Sequence, residues 1–172
     1  LGRLYNKPVS NPEIEQLSQS YFDILSTHRL ETWFNEPLVP ELKLNGENVE
    51  LKFNEQRYDY YMNKLKTKRV ILESGPHELV SQIKDEPFSP AFNKIVKSYL
   101  SGVDAYFRKN GWSDRLVFNS PIDEPNTKKD YEETRQWAML VHEAAPGVHF
   151  LSTESPVSDN PEWGTFRGYV DN

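Results

Sequence analysis

The feature that most restricts this chain is a repeated alternation. Three short apolar runs, Val70 to Leu72, Leu116 to Phe118 and Val148 to Leu151, are separated by longer stretches of helical periodicity, and each ends in a polar loop. Runs this short suit strands buried on both faces better than helices. Helices between such strands imply parallel pairing through crossover connections, so the chain reads as α/β.

The same pattern extends to either side. Asn11-Pro12 opens a predicted helix with Ile14, Leu17, Tyr21, Ile24 and Leu25 on one face, and the run Leu30 to Phe34, halted by Asn35-Glu36-Pro37, reads as a further strand. Asn45-Gly46 tolerates positive φ and predicts a β-hairpin insertion near 41–53. Asn54 caps a predicted helix over 55–66. Ser89-Pro90 opens another, whose stripe runs from Phe92 through Tyr99 to Phe107 and ends at Asn110-Gly111. Thr127 and Asp130 have capping-box spacing for a helix that turns Tyr131, Ala138, Val141 and Ala145 inward and stops at Pro146-Gly147. Phe166 to Val170 reads as the start of one more strand.

An open sheet and a closed barrel both satisfy this alternation. No strand leads into a glycine-rich phosphate turn, and every strand ends in carboxylates, amides and prolines, which favours a (β/α)8 TIM-barrel type. Such a barrel takes about 250 residues, so these 172 are expected to be an incomplete portion, from about the first helix to the sixth strand. Residues 1–172 are therefore read as part of a single (β/α)-barrel catalytic domain that a further domain or chain completes.

Composition narrows the chemistry by exclusion. The chain has no cysteine, which removes thiolate nucleophiles, disulfides and thiolate metal sites together. His28, His77, His142 and His149 form no i, i+4 pair and no zinc pattern with a glutamate base, so no metal is expected, and the hydrolase reading below calls for no organic cofactor. Net charge is −6 and the basic residues are scattered, which argues against nucleic acid as a partner. No apolar run approaches the roughly 20 residues of a membrane span. No Gly-x-Ser-x-Gly elbow supports a serine triad.

What remains is a set of carboxylates placed at the carboxyl ends of strands, where barrel enzymes keep their chemistry: Glu36, Glu73, the adjacent Asp123 and Glu124, and Glu154. Hydrolysis of a glycosidic bond needs an acid for the leaving oxygen and a second group to stabilise positive charge at the anomeric carbon. Two carboxyls serve both needs. Adjacent carboxylates repel, and a pair enclosed in a recess would hold one proton near neutral pH. The competing reading is that Asp123 and Glu124 only complement the positive end of the next helix, worth about 0.3–1 kcal/mol. Asn35 and Asn119 join the candidate sugar contacts, as do Trp33 and Trp163, whose ring faces can stack on a pyranose, whereas Trp137 reads as packing within a helix.

Val117-Phe118-Asn119-Ser120-Pro121-Ile122-Asp123-Glu124-Pro125, the helix after it, and Ala145-Pro146-Gly147-Val148-His149-Phe150-Leu151-Ser152-Thr153 resemble the catalytic region of the family 123 glycoside hydrolases and their bacterial relatives. Tyr21 to Pro40 is similar to the early barrel helix and proline-rich loop of that group. The resemblance implies a β-N-acetylgalactosaminidase-like, retaining hydrolase that removes a terminal N-acetylhexosamine, N-acetylgalactosamine above all. It implies substrate-assisted catalysis, in which the sugar's own acetamido oxygen attacks the anomeric carbon. Carried over, Glu124 is the general acid/base, Asp123 orients the acetamido group, the partner is a glycan, and the location is extracellular or at the cell surface. Pro121-Ile122 departs from the family pattern by lengthening the approach to the pair.

Asn35-Glu36-Pro37 competes for the acid role, because Asn-Glu-Pro also marks the acid/base of a large clan of retaining glycosidases. There it follows the fourth strand and here the second, which leaves it as a sugar-contacting loop. Two other classes stay open: a non-catalytic carbohydrate-binding or cell-surface domain on a degenerate barrel, and a retaining glycosidase for sugars lacking an acetamido group.

Overall fold

The computed structural model describes residues 11–28, 38–158 and 160–171. Helix α1 (Pro12–Thr27) starts where Asn11 Oδ1 accepts the Glu13 N–H at 3.0 Å, and it buries Ile14 and Phe22 while leaving Tyr21 and Ile24 exposed. Strands β1 (Glu41–Asn45) and β2 (Asn48–Lys52) pair antiparallel. Gly46 takes the turn at φ +61, a conformation a side chain would strain.

Asn54 caps α2 (Glu55–Tyr58) by accepting the Arg57 N–H at 3.1 Å. The backbone then widens into a π-helical turn, Asp59–Lys64, so the single helix predicted over 55–66 is two pieces. Tyr58, Tyr61, Met62 and Leu65 all face inward there, and the widened turn accommodates their bulk on one side.

Strands β3 (Val70–Glu73), β4 (Leu116–Asn119) and β5 (His149–Leu151) form one parallel sheet in the order β3-β4-β5. The register places Leu72 beside Phe118 and Phe118 beside Phe150. Helices α3 (His77–Val80) and α4 (Pro90–Lys109) connect β3 to β4, and α5 (Lys128–Ala144) connects β4 to β5. Val70, Leu72, Leu116, Phe118 and Phe150 belong to the core beneath these helices. The period of two sends Ile71, Glu73, Val117, Asn119 and Leu151 to the opposite face.

Close approaches lock the layers. Tyr99 of α4 meets Phe118 with ring centroids 6.4 Å apart, and Trp137 of α5 meets Phe92 of α4 at 5.8 Å. A Cβ on Gly75 would lie 2.8 Å from Trp137 Cζ3, so only glycine admits the indole over the loop leaving β3. The hairpin packs along α4, where Ser98 Oγ accepts the Val49 N–H at 3.0 Å and Leu51 fills the space beside Gly102. Phe53, Tyr58, Tyr106, Phe107 and Trp112 make an aromatic cluster, with Tyr58 stacked on Trp112 at 5.9 Å and Phe53 on Tyr106 at 3.6 Å. Each such ring contributes about 1.5–3 kcal/mol when fully buried.

The expected (β/α)8 barrel, the premise on which a completing domain or chain was expected, is not what the described residues form. The five described strands divide into a two-stranded antiparallel sheet and a three-stranded parallel one. Three strands in consecutive register do not close, because closure needs more strands and a staggered register. Phe166 to Val170, read as a further strand, is instead a turn: the Tyr169 and Val170 N–H groups both donate to Phe166 O, at 2.9 and 3.0 Å. The strand predicted from Leu30 to Phe34 lies outside the described residues.

Candidate functional site

Each strand of the parallel sheet is followed by a buried serine: Ser74, Ser120 and Ser152. Ser74 donates to Asn119 O through both its N–H, at 2.9 Å, and its hydroxyl, at 3.0 Å, and the Ser120 N–H donates to Leu151 O at 2.9 Å. The ladder therefore runs one residue past the strands. Ser120 Oγ then accepts the Ile122 N–H at 3.1 Å, which turns the chain outward at Pro121.

That turn carries Asp123 and Glu124 to the loop leaving β5. Thr153 Oγ1 donates to Asp123 Oδ1 at 2.9 Å and accepts the Glu124 N–H at 2.8 Å. Glu124 stands at φ +45, a left-handed conformation that costs a non-glycine residue about 1–2 kcal/mol. No hydrogen bond or ion pair reaches its carboxyl among the described residues. The enclosure expected of the pair is not found: both side chains are exposed, because the Pro121-Ile122 turn lifts them off the sheet edge.

The start of α5 is capped by Thr127 with Asp130 in its first turn. Thr127 Oγ1 accepts the Asp130 N–H at 3.2 Å and donates to Asp130 Oδ2 at 2.7 Å, and Asp130 Oδ2 also accepts the Asn126 N–H at 3.3 Å. The Thr127 hydroxyl's hydrogen bond, aided by the backbone N–H groups of Asn126 and Thr127, holds the Asp130 carboxyl below the usual carboxylate range. Asp130 thus supplies a negative charge of its own at the start of α5.

Glu73 and Asn119 are register partners at the ends of β3 and β4. Among the described residues, Asn119 Oδ1 is buried without a hydrogen-bond partner, and so is Ser152 Oγ one residue beyond β5. Unpaired acceptors at the carboxyl edge of a parallel sheet, where α/β proteins bind ligands, leave hydrogen-bonding capacity for an incoming group. Behind them the Tyr99 hydroxyl donates to Glu73 O at 3.1 Å, and burial, then the charges of Glu73 and Glu78, push its pKa up.

The remaining predicted contacts are dispersed. Glu154 is exposed and accepts its neighbour's Ser155 N–H at 2.6 Å. Trp163 is held on α5 by Tyr131, 5.7 Å away between ring centroids, and by Arg135, whose Nη1 donates to Trp163 O at 2.9 Å. No described hydrogen bond or ring contact joins it to Asp123 or Glu124. Trp137 is core, as read. Trp33, Asn35 and Glu36 lie outside the described residues.

No protein-family model matches this chain, and a search of curated proteins finds no match. Among the described residues no group of three or more histidine, aspartate or glutamate side chains is arranged to hold a metal ion. None of the described helices is long and apolar enough to cross a membrane. Thr153, which joins the two candidate loops, was not singled out from the sequence. Its signal was positional: Asn119 pairs with Leu151, so the loops that begin there run side by side.

Proposed function

We propose that Asp123 and Glu124 are the working pair of a retaining glycoside hydrolase that removes a terminal N-acetylhexosamine, N-acetylgalactosamine above all, by substrate-assisted catalysis. The observation that carries this reading is the unequal tethering of the two carboxyls at the carboxyl edge of a parallel sheet: Asp123 is fixed through Oδ1, while the Glu124 carboxyl has no hydrogen-bond or ion-pair partner among the described residues. A group that orients a substrate must be held still, and a group that gives and takes back a proton must reach two atoms in turn. The likeness of the surrounding segments to family 123 supplies the choice of sugar.

Asp123 Oδ2 accepts the acetamido N–H, which aims the acetamido oxygen at the anomeric carbon. As that oxygen bonds to the carbon, the bond to the aglycone breaks and Glu124 gives its proton to the departing oxygen. Water then attacks the anomeric carbon of the cyclic oxazolinium ion, whose N–H stays hydrogen-bonded to Asp123, from the vacated face; it gives a proton to Glu124, the bond from the carbon to the acetamido oxygen breaks to restore the acetamide, and the anomeric configuration is retained.

Glu124→Gln and Asp123→Asn, each assayed on an activated nitrophenyl N-acetylgalactosaminide and on a natural disaccharide, test this division. Glu124→Gln is expected to lower kcat/KM on the disaccharide about 100- to 10,000-fold and to spare the nitrophenyl substrate, whose leaving group needs little protonation. Asp123→Asn is expected to slow both, because acetamido attack precedes departure whatever the aglycone. Equal, small losses from both substitutions would reject the assignment. One observation favours a second reading, a non-catalytic carbohydrate-binding surface on the same polar loops: both carboxyls are exposed. Glycan binding that survives removal of both carboxylates, without hydrolysis by the unmutated chain, would decide for it.

A further inference from the structure

We infer that Thr153 is a positioning residue that assigns the two carboxyls their different roles, an inference that rests on the hydrolytic reading above. A hydroxyl has one proton to give and two lone pairs. The backbone N–H of Glu124 can only donate, so the 2.8 Å contact uses a lone pair of Thr153 Oγ1 and leaves the hydroxyl proton for Asp123 Oδ1 at 2.9 Å. Asp123 is thereby made the acceptor, with Oδ2 as its remaining oxygen for a ligand.

The same hydroxyl governs Glu124 through the main chain. Glu124 holds φ +45, and its N–H is anchored to a residue 29 positions away in the sequence, on the loop leaving the neighbouring strand. Strained backbone of this kind persists only where surrounding contacts hold it, and Thr153 supplies such a contact. Threonine suits the task because its branched Cβ restricts χ1, which keeps the hydroxyl aimed at both loop residues. Valine has the same shape without the hydroxyl, and serine keeps the hydroxyl on a looser side chain.

The test uses the whole chain and its Thr153→Val and Thr153→Ser variants, with two readouts. By NMR, exchange of the Glu124 amide is expected to accelerate several-fold in Thr153→Val and to stay near the unmutated rate in Thr153→Ser. On the nitrophenyl N-acetylgalactosaminide and on the disaccharide, Thr153→Val is expected to lower kcat about tenfold to hundredfold on both, the pattern of a misplaced Asp123. Thr153→Ser is expected to restore most of it, and the thermal midpoint should change little because Thr153 is exposed. Unaltered Glu124 exchange in Thr153→Val, or hydrolysis that survives it undiminished, would overturn the inference and leave the hydrolytic reading standing. An unmutated chain that hydrolyses neither substrate would overturn the hydrolytic reading, and this role with it.

Discussion

Tyr58 links two separate segments through a single proton, its hydroxyl donating to Leu38 O at 2.7 Å from a ring that is 1% exposed. Burial, then the neighbouring Tyr106, pushes its pKa up, so the phenol stays protonated and able to donate. Tyr58→Phe keeps the ring contacts and leaves the Leu38 carbonyl without this donor. The expected loss is about 1–3 kcal/mol in urea unfolding with an unchanged slope, and an unchanged midpoint would contradict it. At this scale the sequence was uneven in what it disclosed. Asp123 and Glu124 could be singled out because adjacency is itself a chemical signal, but their exposure could not be foreseen, since it depends on how the Pro121-Ile122 turn sits on the sheet. Thr153 was not, because a hydroxyl in Ser152-Thr153-Glu154-Ser155 looks like any loop hydroxyl until the β4–β5 register sets it against Asp123. Asn119 could be named, but its unpaired Oδ1 could not, since pairing depends on neighbours from other elements.

Helix α5 shows what a cap does and when it stops doing it. Asp130 has a folded-state pKa below its unfolded value, so its contribution is complete above the unfolded value of about 3.9 and is lost as pH falls through the folded one. The stability difference between the unmutated chain and Asp130→Asn should therefore be constant above about pH 5 and shrink below about pH 4. Thermal melts across that range measure it, and a difference independent of pH would contradict the account. Helix starts and short strands were readable because caps, prolines and apolar spacing act within a few residues. The π-helical turn at Asp59–Lys64 was not, since four inward side chains from Tyr58 to Leu65 satisfy ordinary helical spacing closely enough to hide it. Phe166 misled for a related reason: its burial comes from stacking on Tyr131, with centroids 4.1 Å apart, and not from membership of a strand.

For the whole molecule, local pattern fixes β-α-β units but not how many strands join or whether they close. Polar loops at strand ends were taken as a mark of a barrel, yet any parallel sheet gathers ligand-binding loops at its carboxyl edge, so that feature could not separate the two. The open three-stranded sheet keeps what the proposed chemistry needs, adjacent loops from β4 and β5 joined through Thr153. In the proposed mechanism hydrolysis depends on the substrate's own acetamido group. The most direct measurement compares a nitrophenyl N-acetyl-β-galactosaminide with the nitrophenyl β-galactoside that differs only by a hydroxyl in its place. The account predicts hydrolysis of the first with retained configuration and almost none of the second; equal hydrolysis of both, or of neither, would contradict it.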